Sequence, residues 1–379
     1  MSQPIRPGSA LGLLGGGQLG RMFTLAARNL GYRVHALDPG QDCPAGQVAD
    51  LEIRAAYNDV YAAQALARGV DVVTVEFENI PAETLEAVAE VRPMHPGAFV
   101  LHTVQHRLRE KRFLAEHGFP VTPFRQIDTE QDLREAAAAL GLPAVLKTAS
   151  FGYDGKGQQK LTAPEQVPVA FAALGGQQGI LEAWVPFELE CSVVCARSST
   201  GETAVWEVAE NAHRNHILDT TVFPARIPAE VAKRAQAMAI AIAESLGVVG
   251  MLTVEFFLKA GGELLVNELA PRPHNSGHAT IDACTTSQFE QQVRAVCGLP
   301  LGDTTLLRPA AMANLLGDLW PRGGEPAWER LLDHRDVKLH LYGKTEARPG
   351  RKMGHLTALA DTPEAALAKV VAAREALKG

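Results

Sequence analysis

The chain has no run of about eighteen apolar residues, the length a helix needs to cross a bilayer, so no membrane-spanning helix is expected. It has no excess of positive charge: 36 Lys and Arg stand against 43 Asp and Glu, a net charge of −7. That balance gives no ground for nucleic acid or an acidic membrane as partner, although a local basic pocket for a small anion stays open. Its five cysteines, Cys43, Cys191, Cys195, Cys284 and Cys297, form no C-x-x-C pair. Thiols scattered in this way read as core residues in a reducing setting rather than as a zinc or redox motif. The first residues carry no basic-then-apolar signal pattern, so a cytoplasmic location is expected. No internal repeat or low-complexity segment is found.

What is present is an ordinary globular balance over 379 residues, 46% apolar and 21% charged, enough for two or three domains. Residues 10–14 read as a buried strand, 18–30 as a helix ended by Gly31, and 33–38 as a second strand. A helix near 58–68, the strand 71–77 and a helix 82–90 continue the alternation. Strands alternating with helices predict a parallel sheet covered on both faces. Further on, a helix is predicted over 103–117 and an alanine-rich one over 228–246. Strands follow at 251–258 and 263–268, then near 337–342 and 353–359, with a closing helix over 363–378.

Three features carry chemistry. The stretch LLGGGQLGRM at 13–22 contains G-x-G-x-x-G between strand and helix, where backbone amides can approach an anion. Asp38 ends the next strand, where an acidic residue can bind a ribose. A dinucleotide loop and a ligand-free tight turn are both open on this stretch alone. The second feature is Lys147 at the end of an apolar strand, followed by a loop with three glycines and Lys156. It lacks the G-K-[ST] order of a Walker loop, but its amides and lysines suit a polyphosphate. A flexible hairpin tip with solvated lysines is the plainer alternative.

The third feature is a hairpin. If Gly261 and Gly262 are the two central turn residues, Ala260 faces Glu263, and facing residues have numbers summing to 523. Glu255 and Glu268 then lie opposite each other on one face. Without a partner they repel; a divalent cation between them reverses the sign, and magnesium takes one or two carboxylates plus phosphate oxygens. Two surface glutamates paired with lysine or arginine are the alternative. Glycine loop, lysine and carboxylate pair together describe phosphoryl transfer from a magnesium nucleotide.

The chain resembles the ATP-grasp superfamily and, within it, the N5-carboxyaminoimidazole ribonucleotide synthetase family. The motifs are GGGQLGRM at the start, TVEFENI at 74–80, GYDGKGQ at 152–158, VNELAPRPHNSGH at 266–278 and GRKMGH ending at His355. The resemblance implies a mixed α/β and α+β chain with the ATP-grasp fold. A Rossmann-like pre-ATP-grasp domain would span 1–103 and the ATP-grasp domain 104–300, with its lid at about 120–186. A small C-terminal domain would span 301–379.

The activity implied is ATP-dependent carboxylation of aminoimidazole ribonucleotide by bicarbonate through carboxyphosphate, in a homodimer, with magnesium, two ions expected. Arg107 and Lys147 would reach the ATP phosphates, under a lid of Gly152, Tyr153, Asp154, Gly155, Lys156, Gly157 and Gln158. Glu182, Ala183, Trp184 and Val185 would form the adenine hinge. Glu190 would take the ribose hydroxyls, with His213 and Asn267 beside the nucleotide. Glu255 and Glu268 would hold the metal. The opening loop, with Gly17, Gln18 and Leu19, would face the ribonucleotide, its helix start suited to the 5′-phosphate. Lys344 and Arg351 would complete that phosphate site, and Glu76 would accept from the substrate's amino groups. Tyr153, Asp154, Lys156, Arg272 and His274 would act at the reacting groups, Asp154 helping the amine to lose its proton. Phe151 stands where many relatives carry glycine. Another ATP-grasp ligase such as a formate-dependent glycinamide ribonucleotide transformylase, a nicotinamide oxidoreductase and a non-catalytic nucleotide-binding module are the rival readings.

Overall fold

The structure is a computed structural model that describes residues 3–150, 157–321 and 324–378. Three sheets organise the described residues. The first has five parallel strands in the order Leu51–Arg54, Arg33–Asp38, Ala10–Leu14, Val72–Val75, Met94–His95. Strands Ala10–Leu14 and Val72–Val75 are buried at every position, because helices cover both faces of a parallel sheet. The chain first builds outward from Ala10–Leu14 on one side and then returns to its other side. The crevice at such a switch point lies beyond the carboxyl ends of the two central strands, where Gly15–Leu19 and Glu76 stand.

Helix Gln18–Asn29 buries Leu19, Met22, Phe23 and Ala27, spaced three and four apart, so one stripe faces inward. That stripe shares a core with Phe289, Val293 and Val296 of helix Gln288–Val296, which no sequence signal had suggested. The helix predicted over 103–117 is two helices, Ala98–Val104 and Arg107–Glu116, broken at Gln105 and His106. His106 adopts extended backbone and bridges to Ser150.

A four-stranded antiparallel sheet, Phe124–Ile127, Gly179–Ala183, Ala144–Thr148 and Gln158–Leu161, carries Lys147 and Glu182. The largest sheet has nine strands. Its longest pairing is Phe187–Arg197 against Gly250–Lys259, with Leu264–Ala270 beyond them at the edge. Helix Ala229–Leu246 packs Val231, Ala235, Ala239, Ile242 and Leu246 onto its inner face. Strands Ala310–Leu316, Val337–Leu341 and Lys352–Leu359 extend this same sheet, so among the described residues 301–379 form no separate sheet. Among the described residues no helix is long and apolar enough to cross a membrane. All five cysteines are buried and unpaired, and burial pushes the thiols of Cys191 and Cys195 up to about 12, as inert core groups require.

Candidate active site

The glycine loop has an occupant already. Glu76, at the end of its strand, accepts from the amides of Gly17 and Leu19, the latter at 3.1 Å. Asp38 accepts from the Gly16 amide at 2.8 Å and from the Tyr57 hydroxyl at 2.5 Å. The glycines make this possible, since a Cβ at Gly16 would collide with Asp38 and one at Gly17 with Glu76. Two amides at this helix start are thus engaged by the protein's own carboxylate. Burial pushes the Glu76 carboxyl up, opposed by the amides that it accepts from.

The hairpin gives the second part. The turn is not the two-residue one expected: Ala260–Gly262 form three residues of tight turn, and the Lys259 amide donates to the Glu263 carbonyl at 2.8 Å. Leu258 faces Leu264 and Phe256 faces Val266, one residue out from the expected register. A bulge at Asn267 restores it, so Glu255 does face Glu268. Burial raises both carboxyls. At Glu255 the hydrogen bond and charge of His274 more than offset this and hold the group at about 2. At Glu268 the charge of Glu255 adds to burial, and the group is raised. His274 Nε2 lies 3.1 Å from Glu255 Oε1, and its Nδ1 lies 2.9 Å from the Ser276 hydroxyl.

The third part is a charged cluster on the four-stranded sheet. Lys147 pairs with Glu182 at 2.6 Å. Burial would raise Glu182, but Lys111 and Lys147 outweigh it and hold the group at about 2. On the large sheet Glu190 faces Asn211, which puts His213, two residues on, on the same side. His213 Nδ1 and Glu190 Oε2 are 2.8 Å apart. Burial lowers the imidazole, but Glu190 prevails and raises it. Arg272 donates to Glu78 at 2.6 Å, joining the sequel of the hairpin to the end of the TVEFENI strand.

These parts meet in one cleft of about 1330 Å³. It is lined by Gly17, Gln18, Leu19 and Glu76 from the opening domain. Arg107, Lys147, Gln158, Glu182, Ala183, Trp184, Val185, Glu190 and His213 line it from the middle of the chain, and Glu255, Asn267, Glu268, Arg272 and His274 from the hairpin and its sequel. That volume exceeds the range of about 300–1,000 Å³ usual for one ligand, so two can share it. At the hinge the amides of Ala183 and Trp184 are engaged by the carbonyls of Pro123 and Pro143, and Lys160 Nζ lies 3.5 Å over the Trp184 ring. Gly157 is not among the lining residues; it precedes Gln158, which is, and has positive φ with its carbonyl accepting from the Thr148 amide. Gly152, Tyr153, Asp154, Gly155 and Lys156, like Phe151, lie outside the described residues.

Lys344 and Arg351 are not among the lining residues; Lys352 is, and Lys344 Nζ donates to the Lys352 carbonyl at 2.7 Å. The basic stretch is tied to the opening domain through Gln47, which donates to the Gly343 carbonyl and accepts from Arg21. Sequence reasoning missed Glu78, Tyr57 and Lys352. Glu78 lies inside a quoted motif, and its charge in an apolar strand end was the available signal.

Three family models match the chain in order: a ribonucleotide synthetase preATP-grasp domain over 9–105, an ATP-grasp domain over 112–289, and a phosphoribosylaminoimidazole carboxylase C-terminal domain over 310–369. The N5-carboxyaminoimidazole ribonucleotide synthase of Bacillus subtilis is 47% identical over 355 residues, 94% of this chain and 92% of that one. The chain belongs to the N5-carboxyaminoimidazole ribonucleotide synthase family. It is thus an ATP-grasp ligase, and the oxidoreductase reading of the opening loop is set aside. A crystal structure of the ADP complex of an N5-carboxyaminoimidazole ribonucleotide synthetase is 47% identical, covers 98% of both chains and has a TM-score of 0.93. The Aspergillus clavatus N5-carboxyaminoimidazole synthase in complex with ADP and 5-aminoimidazole ribonucleotide is 30% identical, with 97% and 98% covered and a TM-score of 0.91. The family thus accounts for a cleft built from three sheets.

Proposed function

We propose that the chain joins bicarbonate to the exocyclic amine of 5-aminoimidazole ribonucleotide at the expense of ATP, in purine biosynthesis. The observation that carries this is the cleft itself: a facing carboxylate pair and two lysine-flanked sheets at one end, an acid-lined glycine loop at the other. Bicarbonate oxygen attacks the γ-phosphorus and ADP leaves. The resulting carboxyphosphate breaks to carbon dioxide and phosphate, and the amine captures the carbon dioxide and loses a proton. Closure over the cleft excludes water, which would otherwise consume the anhydride.

Glu255 and Glu268 fit magnesium by their donor chemistry. No group of three or more His, Cys, Asp or Glu that could hold a metal is found among the described residues, and two carboxylates are what this ion takes when phosphates supply the rest. Bound there, it would neutralise the phosphate charge. Lys147 and Arg107 steady the same phosphates, Glu190 the ribose, and the hinge the base. Asp154 accepts the amine proton, and Lys156 and Tyr153 attend the carboxyphosphate. Glu76 holds the substrate's amino side. Its 5′-phosphate goes to the basic stretch that holds Lys344 and Arg351, across from the opening helix start. The assignments to 1–103, 104–300 and 301–379, a homodimer and a cytoplasmic location belong to this reading.

The test is product analysis with labelled substrates. Label from bicarbonate should enter the ribonucleotide product, with ADP and phosphate formed in equal amount. Incorporation from formate instead would overturn the reading in favour of a transformylase.

A further inference from the structure

The bulge at Asn267 raises a question that the active site alone does not answer: what holds it. A bulge takes backbone groups out of the ladder, and buried backbone groups need other partners. Here the partners come from two neighbouring side chains of helix Arg107–Glu116. Lys111 Nζ donates to the carbonyl of Val266 at 3.1 Å and to that of Asn267 at 2.8 Å. The carboxylate of Glu110 accepts from the amide of Leu269 at 3.3 Å. Three backbone groups flanking Glu268 are thus held from one helix turn. Both side chains are buried, Lys111 at 1% exposure and Glu110 at 4%.

We propose that Glu110 and Lys111 are positioning residues that fix the bulge and so turn Glu268 toward Glu255. Continuing the register of the turn past Phe256 would put Asn267 opposite Glu255, and Glu268 opposite Val254 on the other face. That face is the apolar core under helix Ala229–Leu246, so burying a carboxylate there opposes a full slip. The clamp therefore governs the direction of the Glu268 side chain more than the existence of the strand. Lys111 also lies 3.6 Å from Glu182, which has a second and closer cation in Lys147 at 2.6 Å. This leaves Lys111 open to replacement by an apolar side chain of similar length.

The proposal rests on the metal reading of Glu255 and Glu268, and its test separates the two. Mn²⁺ affinity is measured by electron paramagnetic resonance on the full chain in the presence of ADP, and ADP affinity is measured separately without metal. Binding of Mn²⁺ by the wild type tests the metal reading; its absence overturns that reading together with this proposal. Given binding, Lys111→Met should weaken Mn²⁺ about tenfold or more while metal-free ADP affinity stays within about threefold. Glu110→Met should act in the same direction, and Glu110→Gln, which keeps an acceptor for the Leu269 amide, should retain Mn²⁺ affinity. Unchanged Mn²⁺ affinity in Lys111→Met, or equal losses of Mn²⁺ and metal-free ADP binding, would overturn the clamp. Should Lys111→Met fail to fold, the two Glu110 variants decide by the same criterion: a loss in Met alone supports the clamp, and equal behaviour overturns it.

Discussion

Glu255 and Glu268 face each other across a hairpin whose turn would, on its own, leave them one residue out of step. The bulge at Asn267 supplies the missing residue, and His274 holds Glu255 at 3.1 Å from the other side. The pair therefore has one carboxyl held strongly ionised and one pushed toward its neutral form.

That asymmetry makes Glu268→Gln informative. The amide keeps the shape but not the charge, so turnover should fall on the order of a hundredfold or more, as for loss of a strong electrostatic stabiliser. Steady-state ADP release under saturating magnesium checks it, and a wild-type rate would contradict the metal role.

Arg272 and Glu78 make a second testable pair, 2.6 Å apart and both partly buried in the wall of the cleft. Burial raises the Glu78 carboxyl, but Arg272 outweighs it and lowers the group, so the glutamate depends on its partner. Arg272→Met leaves that partly buried charge without its partner and should destabilise by roughly 2–3 kcal/mol, between the values for exposed and fully buried pairs. Urea unfolding measures it; a loss below about 1 kcal/mol would show that the cleft solvates Glu78 instead.

The basic stretch near the carboxyl end gives a kinetic prediction. Lys344→Ala should raise KM for aminoimidazole ribonucleotide about tenfold or more, with little change in KM for ATP. Equal effects on both would remove Lys344 from the phosphate site and favour Lys352, which lines the cleft.

Acid stability follows from Glu182. Its carboxyl is held at about 2 from an ordinary 4.5. A depressed folded value means the stabilisation is complete above pH 4.5 and is lost as pH falls toward 2, a loss of about 3 kcal/mol by linkage. Burial pulls Lys111 down in the same cluster, against the charge of Glu182, so the carboxylate is the better-defined reporter. Unfolding free energies at pH 5 and pH 3 should diverge more for wild type than for Glu182→Gln; parallel behaviour would contradict the assignment.

Much of this was legible in the residues because local rules govern it. The βαβ start is readable because Leu11, Leu13 and Leu14 form a buried strand and Leu19, Met22 and Phe23 a helical stripe. The glutamate pair was reached through a register wrong at the turn and corrected by the bulge, since no sequence rule counts a residue that leaves the ladder. The glycine loop reads as a phosphate cradle because glycines announce close approach but not what approaches; that Glu76, 59 residues further on, accepts from the Gly17 amide is visible only in the fold. Lys111 was invisible for a related reason. A lysine in a charged helix reads as solvated, and only the tertiary fold brings it to the carbonyls of Val266 and Asn267.

The account stands most directly on one assay, in which ADP release is followed with aminoimidazole ribonucleotide and bicarbonate each present or withheld. Rapid release only when both are supplied, with a carboxylated ribonucleotide as product, is the expected result. Release that proceeds equally well without bicarbonate, or a product carrying a formyl group, would contradict it.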